Sequence, residues 1–277
     1  MSCEPLVIYH ANCYDGFTAA RIAQEALNHV GHVPELFPAK YGEPPPDVHN
    51  RVVYVLDFSY PREVMEDMHA KAAHLQVLDH HKTAAEACDG LSFCEFDMER
   101  SGCRMAWDHF NGTHPPDWVL RVEDRDLWRF RFDDTREVHA YIASLPMSTE
   151  EWDRLDRTPF SEVVAGGKAI RRYIDTYCEK AAAEARLVGI AGYTAVVVNV
   201  PYQNASEMGS VLLEKHPGAD FAAGYFQRAD GRWQFSLRSR SGFDVSEIAK
   251  LYGGGGHAGA AGFDVPTLES VLLEPQP

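Results

Sequence analysis

Residues 75–84 read LQVLDHHKTA. A short apolar run of this kind reads as a buried strand. It stops on a carboxylate and two imidazoles in a row, Asp79, His80 and His81. Two earlier runs end in the same way. LVIYH (6–10) ends on His10 and continues into ANCYDG, which supplies Asp15, and RVVYVLDFS (51–59) carries Asp57 where its apolar residues stop. Between these runs lie stretches with helical apolar spacing, at 18–30, 62–73 and 102–112, and LSFCEF (91–96) reads as a further strand. VPELFPAKYG reads as a strand and turn, and EPPPD (43–47) as a loop because three prolines remove backbone donors. Strands alternating with helices predict an α/β fold with a parallel sheet covered on both faces. In such a sheet ligands bind beyond the carboxyl ends of the strands, which is where these side chains stand.

The second half has a different rhythm. Residues from about 150 to 188 read as helical and charge-balanced, with 7 basic against 7 acidic residues over 151–189. GGKAIRR (166–172) lacks the spacing of a phosphate-binding loop. A new strand series begins at GYTAVVVNVP (192–201). Two extended runs flank ADG within 221–240, a hairpin signal, and DVSEIAKLY (244–252) reads as a helix capped by Asp244 or Ser246. The expected organisation is a domain over 1–148 with a parallel sheet and helices on both faces, a helical connector over 149–189, and a smaller α/β domain with a mixed sheet over 190–277.

Composition narrows the function classes. The chain of 277 residues is 45% hydrophobic, yet no apolar run reaches the roughly 18 residues that a membrane span needs. MSCEPLVIYH has no basic region before its apolar stretch and reads as a first strand rather than a signal peptide. Six scattered cysteines without a CxxC pair suit reduced thiols, so a soluble cytoplasmic protein is expected. Net charge is −15, and residues 1–150 alone hold 13 Lys and Arg against 25 Asp and Glu. Proteins that grip long nucleic acid carry the opposite balance, so long strands are disfavoured as partners.

Carboxylates and imidazoles gathered at strand ends are ligands for Mn²⁺, Fe²⁺ or Zn²⁺, with manganese favoured by a carboxylate-rich set. VEDRDLW adds Asp124 and Asp126, which compete for one role, with Asp124 preferred. Cys13 reads as an ordinary thiol, and no covalent nucleophile is assigned. Trp107, Trp128 and Trp233 read as core or cleft walls.

LDHHKT together with GGGGHAGAAG resembles the DHH phosphoesterase superfamily, in the branch whose chains carry a C-terminal DHH-associated domain. His10 with ANCYDG corresponds to the first motif, Asp57 to the second, Asp79-His80-His81 to the signature and Asp124 to the fourth. FSLRSRSGFDVSEIAKLYGGGGHAGAAGF (235–263) resembles the core of the associated domain. The resemblance implies His10, Asp15, Asp57, His80 and Asp124 as metal ligands, with Asp57 bridging two ions. It implies Asp79 as a support behind a ligand or the loop, and His81 facing the substrate, so that Asp57 and His81 carry the catalysis. In the second domain Arg238, Gly254, Gly255, Gly256 and His257 would hold the substrate across an interdomain cleft. Many relatives show two aspartates in the first motif where this chain shows Asp15 alone, with Asn12 and Cys13 nearby; Asn12 or Asp126 would compensate. One or two ions therefore remain open.

The implied activity is Mn²⁺-dependent hydrolysis of phosphodiester bonds in small nucleotides, short oligonucleotides or dinucleotides, by metal-activated water. The alternatives are a nucleotide phosphatase, a single-strand exonuclease, or a non-catalytic nucleotide-binding regulatory protein. Oligomeric state is open, a homodimer included.

Overall fold

In the computed structural model, which describes residues 4–271, the first unit (residues 1–170) is built on five short strands. In chain order its elements are β1 (Leu6–His10), α1 (Tyr14–His29), β2 (Glu35–Ala39), β3 (Val52–Leu56), α2 (Arg62–Lys71), β4 (His74–Asp79), α3 (Lys82–Ala87), β5 (Cys94–Phe96), α4 (Gly102–Phe110), α5 (Asp117–Asp126), α6 (Thr135–Ala143), α7 (Thr149–Arg157) and the first half of α8 (Phe160–Ala181), which continues into the second unit. The strands pair in the order β2-β1-β3-β4-β5, all parallel. Alternation along each strand feeds two cores. Val7, Leu56 and Leu78 pack with α1, α4 and α5, whereas Leu6, Ile8, Val53, Val55 and Val77 pack with α2. Helices therefore cover both faces, as expected of strands apolar on both sides. The strand order reverses between β1 and β3, which is where a doubly wound sheet opens a crevice at its carboxyl edge.

Several elements depart from the reading of the sequence. Helix α1 begins at Tyr14, a turn before the predicted Thr18, and this puts Asp15 in its first turn. Asp124 and Asp126, for which the sequence assigned no element, stand in the last turn of the helix α5. The helical stretch read as a connector is shared between two cores: Trp152, Leu155 and Val163 belong to the first unit, and Cys178 and Ala182 to the second. GGKAIRR lies inside α8.

The second unit (residues 171–277) contains β6 (Arg186–Ile190), β7 (Tyr193–Asn199), α9 (Ala205–Lys215), β8 (Phe221–Gln227), β9 (Trp233–Ser239), α10 (Val245–Leu251), β10 (Gly255–His257) and β11 (Ala260–Val265). Its six strands run β10-β11-β9-β8-β7-β6, with β7 and β8 parallel and every other pair antiparallel. The expected mixed sheet, the hairpin around ADG and the capped helix are all present. Asp244 provides the cap, accepting from the Ser246 backbone N–H at 2.9 Å.

Cys13, Cys88, Cys94, Cys103 and Cys178 are free thiols, and Cys3 lies outside the described residues. Among the described residues no helix is long and apolar enough to cross a membrane.

Candidate functional site

Five segments meet at the carboxyl edge of the parallel sheet. The end of β1 brings His10, the first turn of α1 brings Asp15, and the residue after β3 is Asp57. The end of β4 brings Asp79, His80 and His81, and the last residue of α5 is Asp126. Asp57 sits at φ 56°, a left-handed backbone that a non-glycine residue adopts rarely and that clusters at functional sites.

Two groups of potential ligands result. His10, Asp57 and His81 offer atoms within 4.8 Å of one another, and so do Asp15, His80 and Asp126. Asp57 touches both: its Oδ1 is 3.0 Å from His80 Nε2, and its Oδ2 is 3.6 Å from His10 Nδ1. His80 Nε2 also lies 3.4 Å from Asp126 Oδ2 and 3.9 Å from Asp15 Oδ2.

Neighbouring residues fix which atoms face the centre. The Ser101 hydroxyl (2.7 Å) and the Cys103 backbone N–H (3.1 Å) donate to Asp15 Oδ1, turning Oδ2 toward the group. Asp79, fully buried, accepts from the Ser59 hydroxyl at 2.6 Å and from the His80 backbone N–H at 2.7 Å. It also sits 2.7 Å from His81 Nδ1, so Nε2 is the nitrogen that His81 would offer to a ligand. Gly102 permits the close packing: a Cβ there would lie 2.4 Å from Asp57 Cβ and 2.8 Å from Asp15 Oδ2.

Three buried atoms in these groups, His10 Nδ1, Asp15 Oδ2 and Asp57 Oδ2, have no hydrogen-bond partner among the described residues. Leaving such groups unsatisfied costs roughly 1–3 kcal/mol each, and more when charged. A divalent cation would satisfy all three at once, and the oxygen and imidazole donors are of the right chemical type. The residues therefore fit a divalent metal.

The electrostatics agree. Burial pushes the Asp15 carboxyl up, aided by Asp126 and Asp57, to about 8. Burial acts on Asp57 too, but contacts with His10 and His80 outweigh it and hold that carboxyl well below the usual range. His80 is lowered by burial yet raised by more through Asp57, Asp126 and Asp15, to about 10. Burial likewise lowers His81, and the contact with Asp79 overrides it, for a net upward shift. Without a cation the site is held together by protons, which metal would replace. Burial and the nearby carboxylates push the Cys13 thiol well up, away from nucleophilic use.

Asp124 differs from expectation. It is 3% exposed and belongs to neither group. Its carboxylate accepts from the backbone N–H groups of Arg131 (2.9 Å) and Phe132 (3.4 Å) and from the Thr135 hydroxyl. Residues two apart on a helix point about 200° apart, so only one of Asp124 and Asp126 reaches the centre. The one that does is Asp126. The sequence pattern also misses Ser101, Gly102 and Tyr41. The Tyr41 ring lies 5.5 Å from that of His10 and 6.5 Å from that of His81. Desolvation, with Asp79 and Asp57, holds its phenol above the usual range and hence protonated. Only the small pair Ser101-Gly102 before a helix gives any hint in sequence.

In the second unit, strand register aligns Ala222, Arg238, Ala260 and His257 in one row across β8, β9, β11 and β10. Residues opposite one another share a face, so Arg238 and His257 project to the same side. The parallel row two residues away is Gly224, Ser236, Gly262 and Gly255. Arg238 donates to the Ser206 hydroxyl at 2.7 Å, and its stem packs over Gly209 of α9. Gly255, Gly256 and His257 are exposed. Gly254 has a packing reason of its own, since a Cβ would lie 2.1 Å from Gly262 O.

Residues 191–272 match the family described as the DHHA1 domain. An uncharacterised protein of Acanthamoeba polyphaga mimivirus is 26% identical over 301 residues, covering 96% of this chain and 69% of that protein. Among solved structures, the pGpG-specific phosphodiesterase PggH from Vibrio cholerae has a TM-score of 0.54 at 15% identity, over 97% of this chain and 95% of that one. RecJ from Thermus thermophilus, in complex with Mn²⁺, has a TM-score of 0.50 at 14% identity, over 94% of this chain and 49% of that one. Residues 191–272 thus match a DHHA1 domain, and the two solved structures share this chain's fold.

Proposed function

We propose that this protein is a divalent-metal-dependent phosphoesterase that hydrolyses phosphodiester bonds in small nucleotides, such as dinucleotides or short oligonucleotides. The observation that carries this reading is the pair of ligand groups sharing Asp57, with three buried donor atoms unsatisfied between them. His10, Asp57 and His81 would hold one ion; Asp15, His80 and Asp126 would hold a second, with Asp57 between them. Manganese suits the carboxylate-rich set. When bound, such cations lower the pKa of a coordinated water and offset charge on phosphoryl oxygens.

The chain's own residues supply orientation. Asp79 and Ser59 fix the His81 ring, and Ser101 and the start of α4 fix Asp15. Tyr41, held as a neutral phenol beside His10 and His81, is placed to donate to a phosphoryl oxygen. In the second unit Arg238 and His257, on one face above a floor of glycine, alanine and serine, would take a phosphate or base of the substrate. The exposed Gly255 and Gly256 beside His257 would allow close approach.

The fold neighbours include a phosphodiesterase specific for pGpG and a manganese-bound RecJ, which supports the substrate class. The −15 net charge favours small substrates over long strands. The test is turnover of pGpG, other dinucleotides, a cyclic dinucleotide, 3′,5′-bisphosphate nucleotides and a 20-mer in Mn²⁺. Dinucleotides hydrolysed fastest is the expected result, and no turnover of any with metal bound would return the protein to a binding role.

A further inference from the structure

Residues 127–134 join α5 to α6, immediately after the ligand candidate Asp126. This loop is shaped at some expense. Trp128 (φ 55°) and Phe130 (φ 50°) both take the left-handed backbone, which bulky residues adopt rarely. Asp124 holds the loop through the bonds to Arg131, Phe132 and Thr135, and its carbonyl accepts the Arg129 N–H at 2.9 Å.

What the loop presents is an indole at the surface. Trp128 is 36% exposed, against 7% for Trp118 and 0% for Trp152. Its orientation is set by neighbours: Phe130 meets it edge-on at 4.9 Å, and the Arg125 guanidinium lies 4.1 Å from its ring centroid. Arg136 in turn lies 3.9 Å from the Phe130 centroid. Arg131 is exposed, and among the described residues no carboxylate pairs with it. Residues 125–136 hold four arginines against three aspartates, within a half of the chain that is strongly acidic. An oriented aromatic ring beside an arginine is the equipment that single-stranded nucleic-acid sites use, since every base has a π-face to stack.

We infer that Trp128 is the stacking platform for a nucleobase next to the scissile phosphate, with Arg131 meeting an adjacent phosphate. This rests on the phosphodiesterase reading above, but its test reads binding rather than turnover. The full-length protein in Mn²⁺ is titrated by calorimetry with AMP and with ribose 5-phosphate. The wild type binds AMP about tenfold more tightly or better, the size expected for one stacked base. Trp128→Ala brings the two ligands to within about threefold, and Trp128→Phe keeps the preference while losing the AMP-induced quench of tryptophan fluorescence. Arg131→Ala weakens both ligands alike.

A wild type without base preference, or a Trp128→Ala variant that keeps it with unchanged circular dichroism, overturns the inference. Base preference without phosphodiester turnover would sink the proposed function and leave the stacking site standing. Turnover without base preference would do the reverse.

Discussion

At the carboxyl edge of the first sheet, Asp15, Asp57 and Asp79 are 1%, 1% and 0% exposed. On the second sheet, Gly255, Gly256 and His257 lie open. The first region gathers charge that water alone would keep apart and seals it under Gly102, Ser101 and α4. The second pares side chains away and keeps two cationic or imidazole groups on one face. Burial of like charge is tolerated only if something compensates, and here that is protons or metal. An exposed, small-residue face needs no compensation and suits a transient ligand. On the proposed function, the first region would be the rigid centre that acts and the second the surface that holds the substrate.

The largest way to break this division is Asp57→Ala, which removes the carboxylate common to both ligand groups. Hydrolysis is expected to fall to background while circular dichroism stays native; near-normal turnover would sink the ligand assignment. Next comes the contrast between the two aspartates of α5. Asp126→Ala is expected to weaken Mn²⁺ binding on the order of 100-fold. Asp124→Ala is expected to cost roughly 2–3 kcal/mol of stability, through the loop bonds it loses, with a smaller effect on metal. The reverse ranking in calorimetry and melting would restore Asp124 as the ligand.

A pH series sharpens the account of the buried edge. In the folded protein Asp15 titrates at about 8 and His80 at about 10. In the unfolded chain the ordinary values are about 3.9 and 6.5. Both groups bind protons more firmly when folded, so the metal-free protein loses stability as pH rises from 6 to 8, on the order of 1–2 kcal/mol per pH unit. Asp57 is ionised in both states across this window and adds no slope. Mn²⁺ replaces the protons, so the Tm gain on adding it is expected to be larger at pH 8 than at pH 6, and equal gains would contradict the exchange. The smallest effect belongs to the open face. His257→Ala is expected to weaken dinucleotide binding roughly tenfold and to leave Mn²⁺ affinity intact; equal losses in both titrations would blur the two regions into one.

The centre was legible in sequence to the extent that strand ends carry it. His10, Asp57, Asp79, His80 and His81 each follow an apolar run, and a strand's direction fixes where its end points. The helix-borne members were not so legible. Asp124 and Asp126 differ only by their angle around α5, which depends on how that helix packs. Ser101 and Gly102 act through close approach to Asp15 and Asp57, from 86 and 45 positions away in the chain, and no local pattern encodes such contacts. Tyr41 sits in a turn whose composition predicts only a turn. In the second unit the hairpin and cap were readable because their chemistry is local. The alignment of Arg238 with His257 depended on the β9-β11-β10 register.

The central claim is that these side chains make a paired cation site organised by Asp57. Counting Mn²⁺ bound per chain by calorimetry and electron paramagnetic resonance tests it most directly. Two ions per wild-type chain, spin-coupled to each other and reduced to at most one weakly bound ion by Asp57→Ala, is the predicted result. A wild type that binds no Mn²⁺, or an Asp57→Ala variant that binds it as the wild type does, would contradict it.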